Sequence, residues 1–288
     1  MKDANLARAG TFKLGHRNVT RLGYGAMQLA GPGAFGPPQD RSEAIAVLRE
    51  AVEHGVNHID TSDIYGPHVT NELIREALHP YPKDLVIATK VGAKRGPQGS
   101  WDAASSSDEI AASVHDNLRN LDVDVLEVVN LRVMFDALQP SAGSIEAPLA
   151  ALLNLQQEGK VRHIGLSNVT AKQVEEGRSM ANITCVQNHY NLVHRNDDAL
   201  IDELAAAGIA YVPFFPLGGF APIQSAALSS IASEVGATPL QVALAWLLRR
   251  SPNILLIPGT SSVEHLRENL ASAEVEVPVE VMARLERL

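Results

Sequence analysis

Three stretches repeat one local grammar: "EAVEHGVNHID" (50–60), "QQEGKVRHIG" (156–165) and "AAAGIAYVPF" (205–214) each run from a helical end through a glycine into a short apolar strand. The glycines, Gly55, Gly159 and Gly208, suit the left-handed residue that closes a helix, and so short a connection is the one βα repeats use. Eight apolar segments fit as strands: "RLGYG", "VNHID", "LVIATK", "VLEVVNL", "VRHIGL", "TCVQ", "IAYVPF" and "NILLIP". Helical patterns fill the gaps. Ile110, Val114, Leu118 and Leu121 share one face, and "DRSE" (40–43) resembles a capping box. Eight strands alternating with helices predict an α/β chain folded as a (β/α)8 TIM barrel. "TFKLGHRNVTRL", ahead of the first strand, reads as an N-terminal β-hairpin that plugs the barrel floor.

The rival architecture is a doubly wound nucleotide-binding sheet, for which "GYGAMQ" (23–28) offers a partial glycine fingerprint. The third glycine is absent and no helical pattern opens after it, as pyrophosphate binding on that fold requires. No Pro/Gly/Ser linker divides the chain, so residues 1–288 are expected to form one domain.

Composition narrows the partners. A 45% hydrophobic content in 288 residues supports a well-buried core, and a net charge of −9 without a block of like charges argues against nucleic acid and anionic membranes. The start, "MKDANLARAG", lacks the apolar stretch of a secretory signal. The uncharged run from Ala205 to Ser233 is broken by Pro213, Pro216 and Pro222 and by Gly208, Gly218 and Gly219, so it reads as a buried strand and a loop. One cysteine, Cys185, allows no intrachain disulfide or thiolate metal site, which agrees with the cytoplasm. No metal is expected: His58 and His163 fall in strands as packed residues, and His189 and His194 follow strand six, within reach of a substrate. Nothing fixes an oligomeric state.

In a barrel of this kind the active site lies at the carboxyl ends of the strands. Those ends carry Asp60 and Tyr65 after strand two, Lys90 after three, Arg132 after four, Ser167 and Asn168 after five, Gln187 after six, Phe214 after seven and "PGTSS" after eight. A cation beside a phenol stabilises the phenolate, and a buried carboxylate holds the cation in place. A phenol ordinarily loses its proton near pH ~10; bringing that to neutrality takes about 4 kcal/mol, within the means of one or two close cations. Tyr65, Lys90 and Asp60 together therefore read as an acid catalyst for a carbonyl. Taken singly, each has a bland reading: a salt-bridge lysine, a loop-capping aspartate, a turn. Trp101, in "RGPQGSWDAASSS", falls in a loop that either shapes a substrate pocket or covers the rim.

These residues resemble the aldo-keto reductase family over nearly the whole chain. "LGYGAMQL" is similar to its first strand, "HIDTSDIYG" with "NELIREAL" to its aspartate-tyrosine signature, "IATKVG" to its lysine strand, "VRHIGLSN" to its fifth and "IPGTSSVEHLREN" to its cofactor clamp. The resemblance implies NADPH-dependent reduction of an aldehyde or ketone, a small-molecule carbonyl substrate. Tyr65 would donate the proton, Lys90 would assist it and Asp60 would orient Lys90. It implies that Ser167, Asn168 and Gln187 grip the nicotinamide carboxamide, that Phe214 replaces the usual stacking tyrosine, and that Gly25, Ala26 and Met27 line the same mouth. For the diphosphate and adenosine ribose it points to Leu217, Gly218, Gly259, Thr260, Ser261, His265, Glu268 and Asn269. The family often places a lysine or arginine beside the 2'-phosphate, and here Arg267 is the nearest fixed cation to Ser261 and His265.

One position departs from the family pattern. Strand four usually ends in histidine, and "EVVNLR" aligned without gaps puts Arg132 there, with Asn130 the alternative if the register slips. Arginine stays protonated, so it cannot relay a proton, but it can hydrogen-bond an oxygen. The replacement resembles the pyridoxal reductase-like branch, whose substrate carries an acidic hydroxyl beside its aldehyde. Two other readings stand beside this one: a cofactor-binding regulatory subunit of the same fold, and a Schiff-base lyase or aldolase with Lys90 as nucleophile.

Overall fold

The computed structural model describes residues 5–219 and 223–288. Pro222 and the first four residues of the opening segment lie outside them. The chain begins with an antiparallel hairpin, β1 (Thr11–Leu14) and β2 (Arg17–Thr20), as the sequence predicts. It then alternates: β3 (Tyr24–Gly25), α1 (Arg41–Glu53), β4 (His58–Asp60), α2 (Val69–Leu78) and β5 (Val86–Val91). A second short antiparallel pair follows, β6 (Ala93–Arg95) and β7 (Trp101–Ala103), where the sequence reads as a loop. Beyond it come α3 (Ser107–Leu121), β8 (Leu126–Arg132), α4 (Glu146–Gln157), β9 (Val161–Ser167), α5 (Ala171–Met180), β10 (Ile183–Gln187), α6 (Asp198–Ala206) and β11 (Ala210–Tyr211). The chain ends in helices α7 (Ala226–Val235), α8 (Pro239–Arg250), α9 (Val263–Ala271) and α10 (Val279–Leu285).

Seven parallel strands pair in the order β11-β10-β9-β8-β5-β4-β3. The segment "NILLIP" closes the ring through single parallel bridges, Tyr211 with Ile254 on one side and Leu22 with Leu256 on the other. Leu255 N–H donates to the Tyr211 carbonyl at 2.9 Å and Gly23 N–H to that of Leu256 at 2.8 Å. The result is the (β/α)8 barrel. "GYGAMQ" is the end of β3 plus one 3-10 turn, Ala26–Leu29, which removes the doubly wound alternative.

The repeated glycines hold the conformation their position demands, with φ of +91° at Gly55, +77° at Gly159 and +69° at Gly208. Ile110, Val114 and Leu121 of α3 are buried, with Leu118 packed beside them. Asp40 caps α1 by accepting the Glu43 N–H, but the reciprocal half of the expected box is missing. The Glu43 carboxylate instead accepts the Val263 N–H at 2.9 Å, tying α1 to the start of α9.

Strand residues alternate between two cores, as a period of two requires. Outward residues such as Val129, Leu131, Ile164 and Leu166 pack under the helices. Inward residues Val86, Ala88, Val128, Cys185, Ala210, Val212, Leu255 and Ile257 fill the barrel, and Leu14 and Val19 of the hairpin seal it from below. The inward series continues upward to the polar residues Asp60, Lys90, Arg132, Ser167 and Gln187. The uncharged run contains a strand, as expected, but α7 as well. Among the described residues no single helix is long and apolar enough to cross a membrane. The pair α7 and α8 passes that test only together, bent by 83°.

Candidate active site

A cavity of about 370 Å³ opens at the carboxyl ends of the strands, within the range of small-molecule sites. Asp60, Tyr65, Lys90 and Arg132 all line it. Asp60 ends β4 in register with Ala88, and Lys90 is the next inward residue of β5 beyond Ala88, so the long lysine side chain reaches the carboxylate from one step along the strand. The Lys90 ammonium donates to Asp60 Oδ1 at 2.5 Å and to the Thr61 carbonyl at 2.9 Å, while Gln187 Nε2 donates to Asp60 Oδ2 at 2.8 Å. Burial, the largest influence, works against the lysine charge, yet Asp60 and then Tyr65 outweigh it and the Lys90 pKa is raised. The ammonium stands 5.3 Å from the centroid of the Tyr65 ring, and Trp101 packs edge-on to that ring with the two centroids 6.2 Å apart.

Tyr65 owes its position to a buried polar network beneath the β4–α2 loop. Asp63 Oδ1 accepts from Asn71 and Asn120 at 3.0 and 2.8 Å, and its Oδ2 meets His68 Nδ1 at 2.6 Å. Thr61 bonds Asn71, and Asn117 of α3 receives both Asn71 and Thr89. Sequence spacing did not reveal this network, because its members come from four separated segments.

Arg132, not Asn130, reaches the cavity. Val128, Asn130 and Arg132 share the inward face of β8 at rising levels. Asn130 Oδ1 accepts the Cys185 thiol at 3.2 Å in the barrel interior, whereas the Arg132 guanidinium donates to the Ala137 carbonyl at 2.8 Å and Ser167 Oγ at 3.3 Å and lies 4.8 Å from the Phe214 ring centroid. Burial lowers the Arg132 pKa, and Tyr65 and Asp60 oppose that shift.

Of the residues expected at a dinucleotide, Gly25, Met27, Gln187, Phe214, Leu217, Gly259, Thr260, His265, Glu268 and Asn269 line the same cavity. Ala26 turns into the outer core. Ser167 and Asn168 are buried just behind the wall, Ser261 is exposed on the rim, and Gly219 lines the cavity where Gly218 was expected. Gln28, Leu138 and Phe215 also line it and were not anticipated; their apolar or neutral side chains carry no chemical signal in the sequence. Asn168, left-handed at φ +60°, donates to the carbonyls of Val133 and Asp136. Its Oδ1 and Gln187 Oε1 are buried acceptors with no partner among the described residues. Two such acceptors fit the amide N–H groups of a carboxamide. Arg267 Nε donates to Glu50 Oε1 at 2.5 Å.

The histidines divide. His189 and His194 stack at 3.9 Å, and His189 also stacks on Phe214 at 5.6 Å; burial, helped by His194, pushes His189 down to about 4. At the opposite end of the barrel His16, His163 and Glu127 come together, His16 Nδ1 lying 2.9 Å from His163 Nε2. Arg162 and Arg17 already face the Glu127 carboxylate there.

A parallel sheet of seven strands closed into a ring by an eighth segment, with a lysine-aspartate pair and a tyrosine at its carboxyl mouth, defines an oxidoreductase-type barrel. The chain belongs to the aldo/keto reductase family, whose profile matches residues 21–288. It is 65% identical over 279 residues to pyridoxine 4-dehydrogenase of Escherichia coli (strain K12), covering 96% of this chain and 98% of that protein. An uncharacterized oxidoreductase of Schizosaccharomyces pombe is 36% identical, over 97% of this chain and 90% of its own. Among solved structures, a thermostable aldo-keto reductase in complex with the inhibitor epalrestat superposes with a TM-score of 0.80 at 30% identity, covering 96% of this chain and 98% of that one. An aldo-keto reductase from Klebsiella pneumoniae in complex with NADPH shares the fold, with a TM-score of 0.79 at 23% identity, over 96% and 94%.

Proposed function

We propose that this chain is an NADPH-dependent carbonyl reductase that interconverts pyridoxal and pyridoxine, acting in the cytoplasm from one domain spanning 1–288 on a small-molecule substrate, without nucleic acid or membrane. The observation that carries the reading is the buried Asp60–Lys90 pair beside Tyr65 at the base of a cavity, in a chain 65% identical to a pyridoxine 4-dehydrogenase. Bound NADPH supplies a hydride to the carbonyl carbon, and in the reverse direction the oxidised cofactor accepts it.

The chain's own groups do the rest. The unpartnered oxygens of Asn168 and Gln187 suit the nicotinamide carboxamide, and the Gly259, Thr260, His265 and Asn269 side of the cavity suits the diphosphate and ribose. The Tyr65 hydroxyl donates its proton to the carbonyl oxygen as the alcohol forms. The Lys90 ammonium steadies the phenolate left behind, and Asp60 keeps that ammonium in place. Arg132 pairs with the acidic ring hydroxyl beside the aldehyde. A Schiff-base role for Lys90 is disfavoured, because a lysine of raised pKa bonded to a carboxylate and a carbonyl is a poor nucleophile.

The test is an NADPH-oxidation screen over aldehydes and ketones. Pyridoxal should rank first, and Arg132→Met should raise its Michaelis constant at least about tenfold, the loss of one charge-assisted hydrogen bond. Unchanged pyridoxal kinetics in Arg132→Met would remove the role given to that residue; no oxidation with any carbonyl would favour a regulatory subunit.

A further inference from the structure

Arg132 borders the place that the cofactor reading gives to the reactive ring. Its guanidinium lies 4.8 Å from the Phe214 centroid and donates to Ser167 Oγ at 3.3 Å, so it touches both the aromatic face and the hydroxyl that flank that position. His189 also stacks on Phe214, at 5.6 Å between ring centroids. The Ala137 carbonyl, at 2.8 Å, anchors the guanidinium from the loop after β8.

The charges around it do not cancel. Asp60 is matched by Lys90 at 2.5 Å. Among the described residues no carboxylate lies within 4 Å of the Arg132 guanidinium, which is bonded only to a neutral carbonyl and a hydroxyl. The inner end of the cavity therefore carries one unbalanced positive charge. Arginine cannot shed it near neutral pH, whereas a histidine at the same place would be largely neutral.

We propose that Arg132 discriminates the two redox states of the nicotinamide, weakening the oxidised cofactor relative to the reduced one. The oxidised ring is a cation and the dihydro ring is neutral, while the rest of the dinucleotide is the same in both. A unit charge several Å from the ring, in surroundings less polar than water, repels only the oxidised form. The device favours capture of the reduced cofactor and release of the oxidised one, and so biases the site toward carbonyl reduction. This inference rests on the cofactor reading above and assigns to Arg132 a task separate from holding substrate.

Equilibrium binding without substrate tests it. Wild type, Arg132→Met and Arg132→Lys are titrated with NADPH, followed by its own fluorescence, and with NADP+, followed by displacement of NADPH. Expected is a ratio of dissociation constants, NADP+ over NADPH, that falls about tenfold in Arg132→Met, equivalent to about 1.4 kcal/mol, and stays near wild type in Arg132→Lys. Because the ratio is internal to each variant, a partly misfolded fraction lowers both signals and leaves it unaltered. A ratio unchanged in Arg132→Met, with both cofactors still bound, overturns the inference and leaves the cofactor reading standing. Wild type that binds neither form ends that reading and the inference with it.

Discussion

Lys90 Nζ and Asp60 Oδ1 lie 2.5 Å apart with both side chains almost wholly screened from water. A buried pair of this kind is costly to break from one side, because the surviving charge stays in the barrel unpaired. Asp60→Asn should destabilise the fold by about 3 to 5 kcal/mol in urea unfolding. The double variant Asp60→Asn/Lys90→Met, which removes both charges, should recover most of that loss while remaining inactive. If the double variant were less stable than Asp60→Asn, the pair would not be a coupled unit.

His58 predicts an acid limit. Its ring is buried in β4 against Gly23, where an added Cβ would lie 2.2 Å from the imidazole, and among the described residues neither ring nitrogen has a hydrogen-bond partner of good geometry. Burial pushes the imidazole from 6.5 down to about 4, partly opposed by the carbonyls of Thr20 and Leu256. Below the ordinary histidine range the unfolded chain gains a proton that the fold refuses, so stability is intact above about pH 6.5 and is lost progressively down to about pH 4. The total is about 3 kcal/mol. His58→Gln, which does not titrate, should lack this component; parallel pH profiles for the two proteins would refute it.

Cys185 should be chemically silent. Burial raises its pKa to about 12, and its thiol is spent on Asn130 Oδ1. Thiolate is the reactive form, so native protein should resist iodoacetamide at pH 8 and react only after unfolding, as read by mass spectrometry. Rapid labelling of the folded chain would show an interior looser than this one.

Gly25 is the point where the first strand meets the eighth segment. A Cβ there would stand 2.4 Å from the Ile257 carbonyl oxygen, and backbone cannot move aside as a side chain can. Gly25→Ala should lower stability by about 1 to 3 kcal/mol and weaken NADPH binding, because the seam that it pries open lines the cavity. Calorimetry and a binding titration read the two effects; wild-type behaviour in both would mean that the seam opens without penalty.

The barrel was legible because its signals are local. A left-handed glycine after each of three helices and apolar strands at regular spacing are properties of short windows, and Asp60, Lys90, Arg132 and Gln187 follow from reading strand ends. What escaped depends on distant partners. Glu43 looks like half of a capping box until Val263, 220 residues away, takes its carboxylate. The β6–β7 pair forms around polar and glycine-rich sequence, and α7 hides in an uncharged run whose prolines suggest only a loop. Arg132 follows from an ungapped reading of strand four; the alternative, Asn130, also faces inward but lies below the cavity, a difference of height that the sequence does not display. The network around Asp63 that seats Tyr65 has no linear signature.

The central claim is that the Tyr65 hydroxyl supplies the proton to a carbonyl beside Lys90, and Tyr65→Phe deletes that oxygen alone. Stopped-flow oxidation of NADPH by pyridoxal should slow at least about 100-fold in Tyr65→Phe, the lower end for loss of a general acid, while the dissociation constant for NADPH stays within about twofold of wild type. A rate equal to wild type, with cofactor binding intact, would contradict it.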